Sequence, residues 1–306
     1  MCPYTGNSRF AQPTRSTYIA FPEAGFVIFG QGCKIELNQL TRHQNRGGCK
    51  PLMKKVIITG VLLLLSTLTV PAQAEEFDTL LKQGDDYYAK FDNKKALASY
   101  EKAYAVNPSS YEALMKVTRA YIDLGEDLDN KESEGLYLQA VDHAKWMIKE
   151  DPQKAEPYFY AAAAYGKLAL FRGGKEKVKL SGFVEKNAKK AIELDPQYEK
   201  PYTTLGIYYR EVANLNWFLK AFANTFFGGK LKGTNEDAEK FLLKAIELDP
   251  ARIYPRFALA KTYKIMRKKD KEIEQLKKVL ELPVSDHEDQ KKKDKAKAWL
   301  EKLTKK

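Results

Sequence analysis

An eight-residue phrase recurs along this chain: KKAIELDP at 189–196 and LKAIELDP at 243–250. Weaker copies, EKAYAVNP at 101–108 and KWMIKEDP at 145–152, precede the pair, and KKVLELP at 277–283 closes the series one residue short. The final prolines, Pro108, Pro152, Pro196, Pro250 and Pro283, have separations of 44, 44, 54 and 33. A second series, Tyr87, Tyr121, Tyr165, Tyr209 and Tyr263, has separations of 34, 44, 44 and 54. Both series fit a period of 34, lengthened by 10, by 10 and then by 20 between the tyrosine and the proline of a unit. Such a period belongs to stacked helical pairs, each too small to bury its apolar face without its neighbours.

The formal charge of +12, from 52 Lys plus Arg against 40 Asp plus Glu, is unevenly placed. Residues 291–306 hold eight lysines and two acids, residues 1–74 hold eight basic and two acidic side chains, and the body at 75–290 is neutral. Basicity confined to the ends does not make a nucleic-acid groove, and no nucleic-acid partner is expected. Met53-Lys54-Lys55, the apolar run Val56 to Val70 and Ala72-Gln73-Ala74 read as a secretory signal peptide at 53–74, cleaved after Ala74. That run is shorter than the ~20 residues of a membrane span. An exported, periplasmic protein is therefore expected. Residues 1–52 show no helical or strand period and are expected to be an upstream extension, with translation starting at Met53; Arg46-Gly47-Gly48 can be encoded by a purine-rich ribosome-binding sequence. Cys2, Cys33 and Cys49 all precede Met53, so neither a disulfide nor cysteine catalysis is expected in the remainder.

Each unit carries the same kinds of residue at the same places. Leu80, Gly84 and Tyr87 mark the first helix of unit one, and Ala96, Tyr100 and Ala103 its second. The small residues are expected where paired helices cross closely. The added segments of units two and three, 125–136 and around 171–182, read as solvated loops, with Gly173-Gly174 ending a helix. The longer insertion at 211–233 is different, because Trp217, Phe218, Phe222, Phe226 and Phe227 make an aromatic stripe on a helical extension. Thr234 with Asp237 reads as a capping pair, and Ser285 with Glu288 as a capping box opening a last helix.

These residues resemble the tetratricopeptide pattern across nearly all of 76–283. PYTTLGIYYREVANLNWFLKAFANTFFGG and the ending KKVLELPV further resemble the regulator-of-microtubule-dynamics branch. The layout is also similar to that of the bacterial T component associated with tripartite ATP-independent periplasmic transporters. The resemblance implies an all-α, right-handed solenoid of about five helical hairpins at 75–283, a basic C-terminal cap helix at 284–306, and no catalytic site. A secretory leader of bacterial form argues against a microtubule role and for envelope transporter components as partners.

Catalytic and metal chemistry have little to stand on. His143 reads as a partly packed side chain and His287 as a surface one, Cys/His clustering is absent, and GGKLKGT at 228–234 lacks the spacing of a phosphate loop. Neither enzyme activity, cofactor nor metal is expected. By the tetratricopeptide resemblance, the first helices line a concave groove through Leu81, Tyr88, Met115, Arg119, Ile122, Phe159, Ala163, Ile207, Arg210 and Phe257. Such a lining suits a protein partner with hydrophobic anchors, or a hydrophobic small molecule with an acidic end held by Arg119 or Arg210. Trp217, Phe218 and Phe222 are expected to roof that groove, to fill the core, or to touch a membrane. The alternative is an envelope organiser, using its convex face and the lysine-rich tail for peripheral membrane contact.

Overall fold

In the computed structural model, residues 73–128, 131–229 and 231–305 are described, and all fall within the compact unit Val61–Lys306. The leader at 53–74 and the extension at 1–52 lie outside them, apart from residues 73 and 74, which open the first helix. The helices are α1 (73–89), α2 (Asn93–Val106), α3 (Tyr111–Leu128), α4 (Glu132–Glu150), α5 (Ala155–Arg172), α6 (Gly174–Leu194), α7 (Glu199–Ala213), α8 (Trp217–Phe227), α9 (Asn235–Leu248), α10 (Ile253–Ile265), α11 (Lys269–Glu281) and α12 (Asp289–Thr304). No strand occurs among the described residues. The hairpins are α1–α2, α3–α4, α5–α6, α7–α9 and α10–α11, stacked as the expected right-handed solenoid, with α8 inserted and α12 as the cap.

The recurring phrase works as a stop. Asp151, Asp195 and Asp249 turn their carboxylates onto the N–H two residues ahead, of Gln153, Gln197 and Ala251, at 3.1, 2.9 and 3.0 Å. That local bond, with a proline next, ends each helix and starts the turn. Six residues past Pro152 and Pro196, the hydroxyls of Tyr158 and Tyr202 donate back to the proline carbonyl at 3.3 and 3.0 Å. Past Pro250 the same place is taken by Arg256, whose Nη2 donates to the carbonyl at 3.2 Å. An arginine there departs in sequence but keeps the donor.

The tyrosine series stitches one hairpin to the next. Tyr121, Tyr209 and Tyr263 donate to Glu101, Glu185 and Glu239 on the second helix of the preceding hairpin, at 2.6, 3.3 and 3.0 Å. Within hairpins, glycine lets the partners close: a Cβ on Gly84 would sit 2.3 Å from the Tyr100 ring, and one on Gly206 2.5 Å from Leu242. Both partners are fully buried.

Three local expectations change. The segments added at 125–136 and 171–182 are mostly helix, not loop: α3 runs on to Leu128 and α4 starts at Glu132, while α6 starts at Gly174. Gly125 is buried against Tyr137, where a Cβ would lie 2.5 Å from the ring, and the lengthened helices continue the packing of their hairpins. The stripe at 217–227 is a separate helix, begun afresh where Asn216 accepts the Leu219 N–H at 2.9 Å. Thr234 and Asp237 do form a reciprocal capping box. Ser285 pairs with Asp289 and not with Glu288: its N–H and Oγ reach Asp289 Oδ2 at 3.0 and 3.1 Å. The cap helix covers Ile253, Phe257, Leu276 and Val279 with Trp299, Leu300 and Leu303.

Candidate functional site

The first helices of the second, third and fourth hairpins each turn a stripe of residues toward one cavity. Arg119, Ile122, Asp123 and Glu126 come from α3, Phe159, Ala163, Lys167 and Leu170 from α5, and Lys200, Thr204, Ile207 and Glu211 from α7. Their spacing of three or four keeps each set on one helical face. Arg252, Tyr254 and Pro255, the Asp286-His287 pair between α11 and α12, and Lys292 complete a cavity of about 190 Å³. Its walls are largely apolar, through Ile122, Phe159, Ala163, Val178, Val184, Ile207 and Val212.

Two charged sets interrupt the apolar wall. In the first, the Arg119 guanidinium lies 3.7 Å over the Tyr88 ring and its Nη2 donates to the Tyr100 hydroxyl at 3.3 Å, leaving Nε without a partner. Lys200 stands 5.8 Å from the Phe159 ring centre with no carboxylate at ion-pair distance among the described residues. Burial, then the neighbouring Arg252, holds the Lys200 pKa below its ordinary value. Burial pushes the Tyr160 phenol up to about 12, so it stays a neutral donor. In the second set, Lys167 pairs with Glu126, and burial followed by the charge of Lys292 lowers Lys167 to about 8. Asp123 is pushed up to about 6 by burial, with His287 pulling the other way. Burial opposes the charge on His287, yet the Asp286 hydrogen bond and the Asp123 carboxylate raise its pKa.

The sequence-expected residues divide. Tyr88, Arg119, Ile122, Phe159, Ala163 and Ile207 line the cavity. Leu81 is in the core of the first hairpin, and Met115 is a half-buried flank of the central core. Arg210 is 7% exposed and already engaged, donating from Nη1 to the Ala258 carbonyl at 3.1 Å and pairing with Glu211 at 3.2 Å. Phe257 packs edge-on against Trp299 beneath the cap helix. Trp217, Phe218 and Phe222 sit on α8, which packs on α6 where Gly182 admits the Phe227 ring, and none of them lines the cavity. They therefore do not roof it. Nor do Trp217 and Phe218 fill the core, since Trp217 is 81% exposed and Phe218 is exposed too, while Phe222 is half-buried.

His287, expected at the surface, has only 4% of its side-chain area exposed, because the chain after α11 turns back onto α3. His143 is packed between the Tyr104 and Tyr121 rings. The residues missed in sequence, Asp123, Glu126, Lys167, Lys200 and Glu211, continue the same helical stripes by one turn or less, so the period could have found them. Nothing local marks His287 or Arg252, which arrive only through the winding of the whole array.

The Regulator of microtubule dynamics protein 1-3 family model matches residues 78–304. Regulator of microtubule dynamics protein 3 of Rattus norvegicus is 27% identical over 226 residues, covering 70% of this chain and 46% of the rat protein. Regulator of microtubule dynamics protein 1 of Bos taurus is 25% identical over 199 residues, 63% of this chain and 61% of its own length. The chain thus spans less than two thirds of either relative. The crystal structure of a thermophilic tetratricopeptide protein from Thermus thermophilus is similar in fold, with a TM-score of 0.55 at 23% identity, covering 72% of this chain and 99% of that one. The periplasmic placement read from residues 53–74 does not stand, since the curated relatives are proteins of animal cells, which have no periplasm. With it go the envelope partners and the argument against a cytoskeletal role. Match and fold together place this chain in the family of regulator of microtubule dynamics proteins 1-3.

Proposed function

We propose that this chain is a non-catalytic binding protein whose concave cavity receives an extended, apolar segment ending in an acidic group. The tetratricopeptide scaffold and the family suggest a protein-binding role. One observation carries the finer reading. Arg119 and Lys200 both line an apolar cavity, neither has a carboxylate at ion-pair distance among the described residues, and Arg119 Nε has no hydrogen-bond partner there. A buried donor left unpaired costs about 1–3 kcal/mol, and more when it is charged, so an incoming carboxylate is worth most at that place.

The test is a series of short apolar peptides, each with a free C-terminal carboxylate or the matching amide, titrated against the full chain. The acid form should bind about tenfold or more tightly, equivalent to ~1.4 kcal/mol, and the preference should vanish in Arg119→Met. Phe159→Ala should weaken both forms alike. Equal binding of acid and amide by the native chain, or acid preference surviving Arg119→Met, would sink the reading.

A further inference from the structure

We infer that Asp123, Glu126 and His287, with Asp127 beside them, form a site for one divalent first-row transition ion, tying α3 to the segment between α11 and α12. Ligand atoms of Asp123, Glu126 and His287 all lie within 4.8 Å of one another. His287 Nε2 stands 3.4 Å from Glu126 Oε2 and 3.8 Å from Asp127 Oδ1. Donors bound to one ion at roughly 2.0–2.2 Å stand roughly 3 to 3.5 Å apart, so the Glu126–His287 pair already has the spacing of a shared ligand set.

The burial of the ring makes the case. The His287 side chain is 4% exposed, yet neither ring nitrogen makes a hydrogen bond of normal geometry. Nδ1 stands 3.0 Å from Asp286 Oδ1, and Nε2 faces the carboxylates of Glu126 and Asp127. A cation between Nε2 and those carboxylates would satisfy all three. Asp123 Oδ2 is likewise occluded and without a partner. A carboxylate behind the far nitrogen of a histidine is the arrangement that orients an imidazole toward a metal. Lys167 holds the other oxygen of Glu126, Oε1, and leaves Oε2 turned toward His287. One imidazole with two or three carboxylates suits Mn2+, Fe2+, Co2+ or Zn2+ better than Mg2+, which favours an all-oxygen shell.

The probe is Co2+ added to the metal-stripped full chain, followed by calorimetry, visible absorption, thermal unfolding and the imidazole NMR signals. One equivalent should bind, raise the unfolding midpoint, and broaden the His287 ring signals far more than those of His143. Its absorption should lack the thiolate band that Cys2, Cys33 or Cys49 would give. Affinity should fall at least tenfold in His287→Gln and in Asp123→Asn, each checked for native helix content, and Mg2+ should not displace the ion. No Co2+ binding by the native chain, a thiolate spectrum, unaltered binding in folded variants, or a His287 signal unaffected by the ion would each overturn the site. These readings are independent of whether the cavity takes a peptide.

Discussion

Single residues decide how near the helices come. Gly84 is the sharpest case, because a Cβ would meet the Tyr100 ring at 2.3 Å, and Tyr100 is fully buried and tied by its hydroxyl to Asp85 at 2.8 Å. The ring has nowhere to go. Gly84→Ala should therefore destabilise the chain by about 1–3 kcal/mol, measured by urea unfolding, despite alanine's better helix propensity. Gly84 was legible in sequence as a small residue at a crossing. His143 offers a pH test. Burial lowers its folded pKa below the ordinary 6.5, so the unfolded chain takes up more protons as pH falls through that value. The contribution of a neutral His143 is present above 6.5 and is lost below it. The difference in urea midpoint between the native chain and His143→Phe should shift in the variant's favour on passing from above to below 6.5; a constant difference would contradict the assignment.

At the scale of helices, two independent residue series marked the units and their register, and the structure uses both: one as stops, the other as stitches between hairpins. The sequence was less legible where a unit exceeds the basic period. Glycines and acids at 125–136 and 171–182 look like loop composition, but helices lengthened by neighbours' packing override that local signal. The stripe on α8 misled in another way. Its period of four shows a helix and an apolar face, but not which way the face turns, and Asn216 restarts the chain as a helix none of whose aromatic residues lines the cavity. Trp217→Ser and Phe218→Ser, at exposed positions, should change unfolding free energy by no more than about 0.5 kcal/mol each while lowering the binding of an apolar dye. A loss of several kcal/mol would show that α8 belongs to the core after all.

Over the whole molecule, the cap helix completes the last hairpin. Trp299, Leu300 and Leu303 cover Ile253, Phe257, Leu276 and Val279. Deleting 284–306 should cost about 1.5–3 kcal/mol for each large apolar side chain uncovered, and limited proteolysis should then cut α10 and α11 before α3 to α6. Simultaneous cutting along the chain would contradict a local cap. Of the cavity itself, the helical stripes were legible and their closure was not. Arg252, Asp286 and His287 reach α3 and α5 only because successive hairpins rotate, and no pattern within one unit encodes that sum.

The contact of His287 with Glu126 has a consequence for the order in which the protein is made. A plain solenoid is a row in which each unit answers only to its neighbours, and folding can start anywhere and spread. Here the row meets itself across eight intervening helices, α4 to α11. A contact so distant along the chain forms only after every hairpin between is wound, and it opens when any of them loosens. The closure of the cavity by His287 thus depends on every hairpin between α3 and α12, while its walls on α3, α5 and α7 do not.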